Sequence, residues 1–297
     1  MTLHSPSPTS TSPTMTVRPL FWRKVQNGLI QTFSIIALTL AIGAMLWILG
    51  TIFSRGGEVL SWGFLTHTSK PYGVPDNGIA NALLGTLMIT ITAAGIAIPI
   101  ALAAGIGLSE FAKQSRFANL MRFCINVMMG VPSILIGLFV YMLWVVPQKS
   151  FSGFAGALAL AILMIPVITR TTEDMLRMVS DHLREAALAL GCSRWKMIVQ
   201  IVCKSARNGL VSGILLAVAR VAGETAPLLF TALFADAWPR NFFTQPTANI
   251  PVLITETTTN SPFEAMHQVG WGAALVIALI VLLINIVAKT CFREQKK

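Results

Sequence analysis

Residues 82–108 read ALLGTLMITITAAGIAIPIALAAGIGL, twenty-seven positions without a charged side chain. A helix needs about 20 apolar residues to cross the ~30 Å hydrocarbon layer of a bilayer. The run is continuously apolar rather than alternating, which excludes a barrel strand and leaves a membrane helix. Five further stretches qualify in the same way: Phe33–Phe53, Cys124–Val146, Phe151–Thr169, Leu210–Phe234 and Trp271–Ala288. Composition agrees. Charged residues make up 11% of the 297 and hydrophobic ones 54%, with a mean hydropathy of +0.70, whereas about 25% of an average soluble domain is charged. The expected fold class is all-α, an integral membrane protein of six transmembrane helices.

The net charge of +10 follows the apolar runs rather than any one surface. Basic residues fill the gaps between runs, so no stripe suited to nucleic acid forms and no nucleic-acid partner is expected. The N-terminal tail, the second connection (Lys113, Arg116, Arg122), residues 170–209 and the C-terminal tail together hold seventeen Lys and Arg, against four in the opposite loops. The positive-inside bias then places both termini in the cytoplasm of a multi-pass inner-membrane protein surrounded by lipid. The first run is too long for a signal-peptide core and lacks a small-residue cleavage pattern, so it reads as a retained anchor. Cys124, Cys192, Cys203 and Cys291 form no CxxC pair and lie at or near the reducing side, so neither zinc nor a disulfide is expected. No Gly-Lys dipeptide occurs, which excludes a Walker A loop. The chain shows no constellation of an enzyme and calls for no cofactor.

These runs divide the chain. Residues 1–28 form a cytoplasmic tail expected to be disordered, 29–53 the first transmembrane helix and 54–80 a periplasmic loop. A membrane core spans 81–288 with a cytoplasmic loop over 170–209, and a short tail occupies 289–297. In that loop Met175, Met178, Leu183, Ala187 and Leu190 recur at helical spacing. Gly191 ends the pattern and a second helical stretch runs from Trp195 to Lys204. A helix–Gly–helix elbow suits docking to a partner protein; a linker lying on the membrane surface is the alternative.

The fifth run carries Arg220 and Glu224, four apart and so on one face of a continuous helix. A charge at the bilayer centre costs about 2.5–3.5 kcal/mol, so the pair should face the protein interior, as part of a wet pathway or as a structural lock. Arg170, at the end of the fourth run, is a second pathway candidate or an interfacial anchor. Pro132 and Pro227 interrupt their runs and can shape a cavity. Gly209 and Gly213 allow close helix approach.

Several motifs are more specific. Glu185-Ala186-Ala187, three residues, Gly191, nine residues and Ile201 resemble the EAA loop of ABC-importer permeases, with Cys203-Lys204 standing where that pattern has Leu-Pro. Residues 131–139 (VPSILIGLF), 170–176 (RTTEDML) and 223–232 (GETAPLLFTA) resemble signatures of the phosphate-specific transport (Pst) permeases, the PstA family. The likeness runs from about residue 29 to 292. It implies a type I ABC-importer (MetI-like) fold and import of inorganic phosphate. It further implies a heterodimer with the sibling permease PstC, a dimer of the ATPase PstB and the periplasmic phosphate-binding protein PstS. Carried over by position, Glu185, Ala186, Ala187, Gly191 and Ile201 belong to the element that couples to the ATPase. Arg220, with Glu224 as counter-ion, would then lie on the phosphate path. A permease for another oxyanion (sulfate, molybdate, phosphonate) and an ion-coupled secondary transporter are the competing readings.

Overall fold

The computed structural model describes residues 20–112 and 115–291. The first nineteen residues, Lys113 and the basic residues beyond Cys291 lie outside that range, and with them much of the charge asymmetry of the tails. Along the chain run α1 (Leu20–Val59), α2 (Trp62–Thr66), α3 (Ala80–Ile106), α4 (Arg116–Gly130), α5 (Ser133–Val140), α6 (Val146–Gln148), α7 (Gly153–Arg177), α8 (Asp181–Ala189), α9 (Arg194–Met197), α10 (Cys203–Val221), α11 (Ala226–Leu229), α12 (Ile250–Thr258) and α13 (Glu264–Cys291). Wider π turns extend α3 over Gly107–Phe111, join α5 to α6 over Tyr141–Val145 and join α9 to α10 over Ile198–Val202. No strand occurs among the described residues.

Among the described residues five stretches are long and apolar enough to cross a membrane, and a sixth span forms if the bent pair Arg116–Gly130 and Ser133–Gln148 counts as one. The chain divides into residues up to Thr51 and residues from Ile52 onward. The first unit holds most of α1, where the Thr39 and Thr51 hydroxyls donate to the Ile35 and Trp47 carbonyls at 2.8 and 2.9 Å. Returning a hydroxyl to its own helix leaves no polar group facing lipid unsatisfied.

The second unit is built on α3 lying along α7. Ala93, Ala97 and Ala101 of α3 are fully buried with Ala157, Leu160, Ala161, Met164 and Ile168 of α7. In lipid there is no hydrophobic drive between helices, so close backbone approach through small residues supplies the attraction. Gly105 continues the seam: a Cβ there would come within 2.6 Å of Thr172 Cβ and 2.9 Å of the Thr169 carbonyl. On the other side of α7, Gly209 and Gly213 of α10 face Met175 and Thr171, the close approach their spacing allows.

Two spans are interrupted near the prolines expected to interrupt them, Pro132 and Pro227. The third breaks at Gly130-Val131-Pro132, its halves meeting at 99°. Val131 is extended (φ −70°, ψ 129°), as a residue preceding proline tends to be. The fifth ends at Val221 instead of running to Phe234. Pro227 lacks an N–H and its ring would collide with the carbonyl four residues earlier, at Gly223, so the helix stops just short of it. Pro99 and Pro166, by contrast, sit within continuous helices.

Gly105→Ala is expected to lower stability by about 2 kcal/mol through overpacking. Gly95→Ala, on the same helix with nothing within 4 Å of the new methyl, should be neutral or stabilising by up to about 1 kcal/mol. Unfolding by SDS in mixed micelles distinguishes the two.

Candidate functional site: a charged cavity and an arginine-fastened elbow

The breaks in the third and fifth spans meet. A cavity of about 110 Å³ lies between the end of α4 (Met128, Met129), Ser133 at the start of α5, α7 (Leu163, Met164, Val167) and the end of α10, with Arg220 and Glu224 on its wall. Such a volume is far below the ~300–1,000 Å³ of a site for a drug-sized molecule. Arg220 is the last but one residue of α10 and is exposed on this chain. Glu224 lies beyond the helix, its N–H donating to the Val221 carbonyl at 3.1 Å. The expectation that the two share one helix face is therefore corrected: α10 ends at Val221 and a turn over Ala222 and Gly223 sets Glu224 beyond it. They share the cavity instead, and no ion pair forms between them in the structure.

Arg170 is not on the wall of this cavity. Its Nε donates to Asp174 Oδ2 at 3.1 Å, and its Nη1 lies 3.8 Å from Glu173 Oε2. Glu173 is 1% exposed and also meets Arg122 Nε at 2.7 Å and Arg177 Nη2 at 2.8 Å. One buried carboxylate thus holds three guanidinium groups and ties α4 to α7.

The elbow takes shape as its glycine requires. Gly191 adopts φ +77°, the left-handed conformation that favours glycine. Its N–H donates to the Leu188 carbonyl, and the Cys192 N–H to Ala187, closing the end of α8. Glu185 and Ala186 face outward, with the Glu185 side chain 77% exposed and 4.0 Å from His182. Ala187 turns inward against Leu176, Met197 and Ile198, and Ile201 packs on the same cluster. The motif therefore has an outer face, extended by Leu188 and an almost fully exposed Leu190, and an inner face that seats it on its own chain. Exposed apolar side chains of this size, grouped around a charged residue, mark an interaction surface.

What seats the elbow was not singled out from the sequence. Arg184, buried on α8, donates through Nε to Glu110 Oε2 at 3.2 Å and through Nη2 to Glu110 Oε1 at 2.8 Å. The same guanidinium donates to the Leu176 and Val179 carbonyls at the end of α7. The fork from Glu110 holds Arg184 charged more firmly than a free arginine, against the cost of its desolvation. Arg194 of α9 donates to the Glu110 carbonyl at 2.7 Å and lies over the Phe111 ring, 4.9 Å from its centroid. The available signal was positional: Glu110 stands two residues beyond a twenty-seven-residue uncharged run, where a carboxylate needs a partner.

Residues 95–293 match the family described as "Binding-protein-dependent transport system inner membrane component". The "Phosphate transport system permease protein PstA" of Haemophilus influenzae is 43% identical over 278 residues, covering 93% of this chain and 97% of the relative. A protein of the same name from Yersinia pestis is 40% identical over 275 residues, covering 93% and 92%. The chain belongs to the PstA family of these inner-membrane components. Solved structures agree on the fold. A permease of the bacterial alginate ABC transporter superposes with a TM-score of 0.63 at 12% identity, over 93% of this chain and 99% of that one. An inward-facing MetNI methionine ABC transporter gives 0.61 at 16%, over 72% and 94%. The fold is that of type I ABC-importer permeases, and the family is one of multi-pass inner-membrane subunits.

Glu173→Gln should cost about 3–5 kcal/mol, because it removes the buried carboxylate charge that Arg122, only 14% exposed, meets at 2.7 Å. Thermal unfolding in detergent checks this, with Asp174→Asn at the half-exposed neighbour expected to cost under about 1 kcal/mol.

Proposed function

We propose that this chain is the permease subunit through which inorganic phosphate passes from periplasm to cytoplasm by alternating access. What carries the reading is the end-to-end likeness to relatives named as phosphate permeases, supported by an arginine on the wall of a small cavity between broken helices. Phosphate is strongly hydrated, and a pathway must replace its water with fixed donors. A guanidinium fork does so in a geometry that matches two phosphate oxygens. Ser133 sets the amino end of α5 at the same cavity, where the helix dipole favours an anion. Glu224 on the opposing turn competes for Arg220 once the ion has left, which weakens retention and lets it be released.

The chain performs no chemistry of its own in this scheme. ATP is hydrolysed by a separate PstB dimer that receives the outer face of the 170–209 elbow, through Glu185, Ala186 and the turn at Gly191. PstC completes the channel as sibling permease and PstS delivers phosphate from the periplasm. Both termini lie in the cytoplasm, with 29–53 as anchor and 81–288 as permease core. Arg170, bound to carboxylates, stands near the inner mouth as a reserve contact for the leaving ion.

Radiolabelled phosphate uptake into starved cells lacking the gene tests the reading. Wild type should restore uptake that sulfate, molybdate and phosphonate compete poorly. Arg220→Gln should lose a charge-assisted contact of about 2 kcal/mol, on the order of thirtyfold in uptake. Equal competition by sulfate would overturn the substrate, and normal uptake by an assembled Arg220→Gln would remove Arg220 from the path.

A further inference from the structure

From the Glu110 contacts we infer that the Glu110–Arg184 pair is the link that makes the coupling elbow and the ends of α3 and α7 move as one body. This rests on the proposed role of the elbow as the ATPase contact. Both arms of the elbow reach the same residue: Arg184 from α8 grips the Glu110 carboxylate, and Arg194 from α9 grips its carbonyl. The geometry follows from how helices end. The last carbonyls of a helix have no intrahelical partner and attract cations. At the end of the π turn that extends α3, the Leu108 carbonyl receives Arg122 Nη2 at 3.2 Å and the Glu110 carbonyl receives Arg194. At the end of α7 the Leu176 carbonyl receives Arg184 Nη2 at 2.7 Å. Arg184 is therefore a node whose N–H groups are accepted by α7 on one side and by Glu110, in the π turn that extends α3, on the other.

The elbow is otherwise joined to the core by the apolar cluster around Leu176, Met197 and Ile198 and by the helix that runs from α9 into α10. On α8 only Arg184 and Ala187 are buried, and the remaining seven residues face outward. Ala187 contributes a single methyl to packing. The buried guanidinium and carboxylate thus join α8 directly to α3 and α7, the paired helices at the centre of the core. Glu110 and Arg184 are positioning residues: neither lines the cavity holding Arg220.

The test uses the full importer, permease pair with ATPase and binding protein, reconstituted in lipid vesicles. Glu110→Gln keeps the size and removes the charge, whereas Arg184→Lys keeps the charge and removes the bidentate fork. Each variant complex should still hydrolyse ATP, while phosphate taken up per ATP falls about tenfold, the size of an ordinary coupling between sites. The double variant should be no worse than either single one, because both remove the same link. Wild-type transport per ATP in assembled variants, or losses that multiply in the double, would overturn the inference. Should the variants fail to assemble, a distance measurement in the otherwise unaltered protein decides. Spin labels at Ala112→Cys and Leu190→Cys should keep their separation to within about 2 Å across the ATP cycle, the scale of a helix shift, while a Leu190→Cys and Leu283→Cys pair changes. A change between the first two labels sinks the proposal. These distances need no transported ion, so a wild-type complex that moves sulfate but not phosphate would count against the substrate alone.

Discussion

The structure depends on how closely two helices can lie when both sit in lipid. Water is absent from the hydrocarbon layer, so α3 and α7 gain nothing by hiding apolar surface from it; they gain by dispersion between backbones brought close. Ala93, Ala97, Ala101 and Gly105 on one side and Ala157 and Ala161 on the other make that approach possible. The same small side chains leave the larger ones, such as Leu160, Met164 and Ile168, filling the space at the edges of the seam. With this pair fixed, α10 docks on α7 through Gly209 and Gly213, and the cavity forms where α4, α5 and α10 stop short around it.

Charges are excluded from the seam and collect at its end. Glu110, Arg122, Glu173, Arg184 and Arg194 are brought together at the ends of α3 and α7. A buried ion pair by itself is weak evidence of stability, since desolvation consumes most of the attraction. Here the arginines also satisfy helix-end carbonyls that would otherwise be orphaned. That second function explains why arginine stands at these positions: a lysine point charge cannot serve a carboxylate and two carbonyls at once.

Much of this was legible in the sequence, and what was not has a common cause. Uncharged runs gave the spans, because length and hydropathy are local properties. Gly191 gave the elbow, because a left-handed turn after a helical pattern asks for glycine. The fifth span was drawn thirteen residues too long, since Leu228–Phe234 is as apolar as the helix before it and hydropathy does not register a stop imposed by Pro227. The break at Pro132 was foreseen as an interruption but not as a turn of 99°. Arg220 and Glu224 were singled out from the sequence, whereas Glu110–Arg184 and Arg122–Glu173 were not. Their partners are separated by 74 and 51 residues, and no periodicity connects positions so far apart.

The two charged groups answer different mechanical demands. In the proposed scheme a pathway residue must let go; Arg220 stands exposed on a cavity wall, and no ion pair joins it to Glu224 on the same wall. A linkage must not let go, so Arg184 is buried and held by four acceptor groups on α3, α7 and its own helix. The difference in burial, not in residue type, separates the roles. It follows that the stretch between them, the body of α7 from Val167 to Leu176 and of α10 from Ala206 to Arg220, has to be stiff. The glycine contacts at Met175 and Thr171 lock these two helices along that length. In the proposed scheme, a movement begun at the elbow would then reach the cavity as a displacement of whole helices.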